Sequence, residues 1–184
     1  MMPGSLSLAC VTRWAVVTIA IVSLPAWSAR AVPRQGGPIT KGSGAAMCGA
    51  LTRADFAAAG LPTNARPDAN VQDNGQSAYC VYRGRSGATG GVELDVFWPA
   101  GADPAAVRAT EQTVLAEDAG MYVPAALAGA DEARVATALQ SGGPRFAAIV
   151  VRRGDLVFTI SLPAGPQARA QLLRLSALAL RRLG

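Results

Sequence analysis

Apolar and polar positions alternate most clearly over residues 156–162. There Leu156, Phe158, Ile160 and Leu162 fall on one side and Val157, Thr159 and Ser161 on the other. A period of two puts successive side chains on opposite faces of a strand, so this stretch predicts a half-buried strand. Residues 91–98 alternate likewise, with Val92, Leu94, Val96 and Trp98 against Glu93, Asp95 and Phe97. Residues 77–83, rich in aromatic and β-branched side chains, and the apolar run 146–152 predict two more strands, and 132–139 a weaker one. The glycine-rich stretch 84–90 between the first two strands predicts an antiparallel hairpin. Residues 141–144 and the Gly154-Asp155 pair predict turns.

The pattern changes to a period near 3.6 over 167–183, where Leu172, Leu175, Leu178 and Ala179 line one helix face. Arg181 and Arg182 there suit the negative end of the helix dipole. Asp103 followed by Pro104 predicts a helix start, running to about residue 119. A short helix is predicted over 51–60, with Thr52 as its cap, Asp55 three residues on, and Gly60 and Pro62 closing it. Residues 63–76 are polar and turn-rich and predict a loop, while the apolar stretch 123–130 is broken by Pro124 and Gly129. The expected fold is therefore α+β, in the order α-β-β-α-β-β-β-α, with a mostly antiparallel sheet. Helices are expected on one sheet face, the leucines of the last helix covering Leu156, Phe158, Ile160 and Leu162.

The first third of the chain reads differently. Arg13 precedes eleven uncharged residues, 14–24, then Pro25 and the small-residue run Ala26-Trp27-Ser28-Ala29-Arg30-Ala31. A basic start, a short apolar core and an A-x-A site describe a secretory signal peptide over 1–31, cleaved after Ala31 or after Ser28. Eleven helical residues span about 17 Å, short of the roughly 30 Å of a bilayer core, which argues against a retained anchor. Cys10 lies before the apolar run and Cys48 far beyond it, so neither is placed for lipid attachment. Residues 32–46, rich in Gly, Pro and Ser, are expected as a linker, leaving one domain over 47–184.

Cleavage would remove two cations from the net charge of +5, leaving +3. That is too mild for a nucleic-acid partner, and no basic cluster with interleaved aromatics is present. It would also remove Cys10 and leave Cys48 and Cys80. Two cysteines in an oxidising compartment pair, and the close C-x-x-C spacing of a redox couple is absent.

The chain has no histidine. That excludes Ser-His-Asp triads, Cys-His pairs, histidine-ligated zinc and the usual proton shuttle near neutral pH. Glu93 and Asp95 share a strand face and lie about 7 Å apart along it, a spacing that admits paired-carboxylate chemistry, although no aromatic sugar platform adjoins them. Glu117-Asp118 and Asp131-Glu132 offer oxygen ligands without the alternating loop of a calcium site. The glycines between Arg83 and Gly91 lack the lysine and helix of a phosphate loop. No catalytic residue, metal site or cofactor is therefore expected. The candidate ligand groove is assigned to Arg83 and Arg85 of the hairpin loop, to Met121 and Tyr122 of the broken apolar segment, and to Trp98 at a strand end.

Four motifs carry a family resemblance: Cys48-Gly49-Ala50-Leu51-Thr52 opening a helix, Tyr79-Cys80-Val81-Tyr82 in a strand, Gly129-Ala130-Asp131-Glu132-Ala133 before a strand, and a late strand pair turning at Gly154-Asp155. Over 47–184 the chain resembles the uncharacterised exported envelope proteins of mycobacteria and related actinobacteria. It departs from them at Ala130, where they carry a second glycine, and in lacking the lipidation motif of many members. The resemblance implies a small α/β sandwich, export and a disulfide, and no catalytic residues. The expected function is an exported cell-envelope domain that binds a protein or an apolar, lipid-like small molecule. The alternatives are a carboxylate-based hydrolase and a structural surface protein.

Overall fold

The structure is a computed structural model that describes residues 39–61, 67–84, 91–99, 103–116, 120–139 and 145–184. Among the described residues three α-helices, α1 (Arg53–Ala58), α2 (Pro104–Ala116) and α3 (Ala168–Leu183), accompany a seven-stranded sheet. Its strands are β1 (Asp68–Gln72), β2 (Ser77–Tyr82), β3 (Val92–Phe97), β4 (Val123–Pro124), β5 (Glu132–Leu139), β6 (Phe146–Arg153) and β7 (Leu156–Pro163). Every pairing is antiparallel, in the spatial order β1-β2-β3-β7-β6-β5-β4. Two meanders, β1 to β3 and β4 to β7, thus join where β3 pairs with β7. The fold is α+β, as the pattern of the chain predicts.

Alternation builds the main core. Leu94 pairs with Ile160 and Ile160 with Ile149, a row of buried side chains running across three strands. The α3 face carrying Leu172, Leu175, Ala179 and Leu183 closes over this side of the sheet. Fully burying one leucine contributes about 1.5–3 kcal/mol, so this helix face anchors the domain.

Three features depart from the pattern. Residues 68–72 form β1, where a loop is expected. This is an edge strand exposed at four of its five positions, so the sequence DANVQ carries no buried alternation to reveal it. The expected linker 32–46 is partly ordered: a 3-10 helix spans Gly44–Ala50, Ile39 packs against the core, and the Gly42 N–H donates to the Trp98 carbonyl at 2.9 Å. Finally, helices cover both faces, not one. The α2 helix lies on the second face, burying Val107 with Val150 and Val157 and packing Phe97 and Tyr122 around them. It carries the chain from the middle of the sheet to its far edge, so it must cross that face.

The ends of α1 follow local rules. The Thr52 hydroxyl accepts the Asp55 N–H, and Asp55 Oδ2 accepts the Thr52 N–H at 2.7 Å, which makes a capping box. Gly60, at φ 73°, adopts the left-handed conformation that ends the helix. Cys48 and Cys80 form a disulfide with their Cα atoms 5.6 Å apart, joining the 3-10 helix to β2. Among the described residues no helix is long and apolar enough to cross a membrane.

Candidate functional site

The residues expected to line one groove lie in separate places. Arg83 follows β2, at the hairpin end of the β2–β3 pair, and its Nε donates to Asp68 at 2.7 Å. Trp98 follows β3 at the opposite end of the same strands. It is 9% exposed, packs into the α3-side core and donates its Nε1 to Asp155 Oδ1 at 3.2 Å. Asp155 also takes Lys41, so this indole sits in a clasp holding the segment before the 3-10 helix onto the β6–β7 turn. Tyr122 packs against the second face, and Met121 beside it is exposed. Arg85 lies outside the described residues. Strand alternation explains the separation: Phe97 and Trp98 are consecutive and so face opposite sides, and β4 lies at the far edge from the hairpin.

The carboxylates are mostly engaged. Asp131 Oδ2 accepts the Gly154 N–H at 2.7 Å, and Glu132 accepts Arg134 Nε at 2.7 Å. Buried Glu111 on α2 accepts Arg152 Nε at 2.9 Å, tying that helix to β6. Burial and the nearby Glu132 charge raise the Glu111 pKa, outweighing Arg152 and Arg134. Glu93 and Asp95 share the second face as predicted, with Tyr79 directly across from Asp95. Tyr79 is pushed up to about 12 by burial, then by its hydrogen bond to Glu93 and the two carboxylate charges. Asp95 is pushed up as well, by burial, which outweighs the backbone hydrogen bond from Val96. Glu117 and Asp118 lie outside the described residues. No group of three or more metal-ligating side chains occurs among the described residues.

A hollow of about 400 Å³ lies elsewhere, between the end of α1 and the start of α3. Residues 57–60 form one wall, and Gln167, Ala170, Gln171 and Arg174 form the other. The hollow follows from sequence. Three consecutive alanines and a glycine end α1, so on that wall no side chain extends past Cβ into the space. Its frame follows from helix chemistry. The last carbonyls of a helix have no partner within it. Here α3 supplies donors: Arg174 Nη1 reaches the Ala58 carbonyl at 2.8 Å and Gln171 Nε2 the Ala59 carbonyl at 3.0 Å. Gly60 N–H and Leu61 N–H turn back to Ala57 and Phe56 carbonyls at 3.1 and 2.8 Å and complete the cap.

No family model, curated protein or solved structure matches the chain. The hollow therefore has to be read from its own chemistry. Its lining offers amide and guanidinium donors above a floor of methyl groups, and none of its residues carries a carboxylate, thiol or hydroxyl. Such a surface can hold a ligand and orient it; it supplies no nucleophile or base. Sequence reading missed it because QARAQLLR and DFAAAG register first as helix. The usable signal was the small and polar set Gln167, Ala170, Gln171 and Arg174, at the i, i+3, i+4, i+7 spacing of one helix face.

Proposed function

We propose that the protein is exported and works in the cell envelope as a non-catalytic binding domain, of the kind its motifs resemble in actinobacterial envelope proteins. The Cys48–Cys80 bond carries the export reading: such bonds persist in oxidising compartments and are rare in the reducing cytosol. Both residues are 1% exposed or less, inside the core between the 3-10 helix and β2, so the bond serves the frame of the domain and not redox exchange. The donor-lined hollow beside α1 supports binding as the activity. The test is to isolate the protein from its host, sequence its N-terminus and analyse by native mass spectrometry what leaves with it. A new N-terminus at Val32 or Ala29, in an envelope or medium fraction and with a bound small molecule, is the expected result. An intact chain in the cytosol, with both thiols free, would sink the reading.

A further inference from the structure

The geometry points to the α1–α3 hollow as a site for a small amphipathic monocarboxylate, its head group on Arg174 and its alkyl chain on the alanine floor; this rests on the binding reading above and names its ligand. The argument begins with the arginine. Nη1 of Arg174, at an exposed position, donates to the Ala58 carbonyl at 2.8 Å, which turns the guanidinium towards the end of α1. Nε and Nη2 take no partner among the described residues, and together they are one edge of the planar fork that grips a carboxylate with two parallel hydrogen bonds. That one bond biases the side chain towards this pose, so binding costs it less freedom than a fully free arginine.

The rest of the lining chooses among anions. One cation and no acid border the hollow, which suits a single negative charge. A phosphate monoester carries close to two charges and three acceptor oxygens at neutral pH, more than one guanidinium edge satisfies. The opposite wall is methyl groups from 57–59, with Ala170 facing them, so an acid without an alkyl portion would leave this floor wet. A volume of about 400 Å³ lies at the low end of small-molecule sites and limits the ligand to a short chain.

The assignment is tested by titrating the natively processed protein with octanoate in a calorimeter, with octan-1-ol and acetate as comparison ligands. Arg174→Gln removes the fork. Ala170→Leu fills the floor at an exposed helix position where leucine is a good helix former, so it should fold. Octanoate should bind with Kd below roughly 100 µM. Octanol, acetate and the Arg174→Gln variant should each lower affinity tenfold or more, and Ala170→Leu should abolish binding, with circular dichroism spectra unchanged. No binding of octanoate at 1 mM (~ten times that Kd), or equal binding to the wild type and both folded variants, would overturn it. Failure here with an envelope component still recovered on the native protein would reject this ligand and leave the binding reading standing.

Discussion

Removing the disulfide should lower stability by an amount that loop closure alone predicts. Cys48 and Cys80 are 32 residues apart. For a loop of this length the chain-entropy relation gives roughly 3.7 kcal/mol at 25 °C, acting through the unfolded state. A domain of about 150 residues shifts by some 2–4 °C per kcal/mol, so the double variant Cys48→Ala/Cys80→Ala should melt about 7–15 °C lower. Replacing both residues avoids a lone buried thiol and costs little packing, since alanine keeps each Cβ. The loss should come with a larger denaturant m-value, because the unlinked unfolded chain exposes more surface. Differential scanning calorimetry and a urea titration, each with and without reductant, measure both. Reductant should leave the double variant unchanged and bring the wild type towards it. A melting point within 3 °C of wild type would refute the entropic account, since the disulfide would then be decorative.

The remaining predictions concern single side chains. Ser176 is fully buried on α3 and its hydroxyl has no hydrogen-bond partner among the described residues, so Ser176→Ala should stabilise by about 1 kcal/mol in urea unfolding; a loss of stability would reveal a partner for that hydroxyl. Leu175→Ala, at a fully buried position of the same helix, should cost about 2–5 kcal/mol. Burial raises the Asp55 pKa, but the Arg182 fork at 2.5 and 3.0 Å and the Thr52 hydroxyl and N–H outweigh it and hold it at about 2. Its folded value lies below its unfolded one, so about 2 kcal/mol of stability is present above pH 4 and is lost as pH falls towards 2; Asp55→Asn should remove that part of the pH dependence in acid titrations.

How far the sequence led depended on burial. Strands β2, β3, β5, β6 and β7 were legible because one or both faces are covered, and a buried face leaves a period of two or an apolar run in the chain. Helix α3 was legible for the matching reason at a period of 3.6, and α1 because Thr52, Asp55 and Gly60 write its two ends. Strand β1 left no such trace: its backbone pairs with β2 while four of its five side chains stay in solvent, and Asp68, Asn70 and Gln72 are as suited to a loop. The disulfide was legible by arithmetic on the expectation that signal cleavage removes Cys10, which leaves Cys48 and Cys80 to pair. Functional placement was the least legible. Trp98 and Tyr122 attracted a groove assignment as aromatics near loops, yet both serve cores, on opposite faces. An aromatic side chain buries so much surface that packing explains it first.

The α1–α3 hollow shows the converse. Alanines and glutamines carry almost no signal in a one-dimensional reading, because what they contribute is the space their side chains leave. That space exists only once α3 has crossed the end of α1, and it persists because Arg174 and Gln171 are already spent on carbonyls that the short helix cannot satisfy itself. Backbone N–H groups of residues 59–61 take the Asp55, Phe56 and Ala57 carbonyls, so α3 supplies the donors for the last two, Ala58 and Ala59. Supplying them places an arginine beside a floor of methyl groups. The helix cap and the proposed ligand site thus draw on the same residues. Substitutions at Arg174 should accordingly move stability and affinity together, whereas Ala170→Leu should move affinity alone.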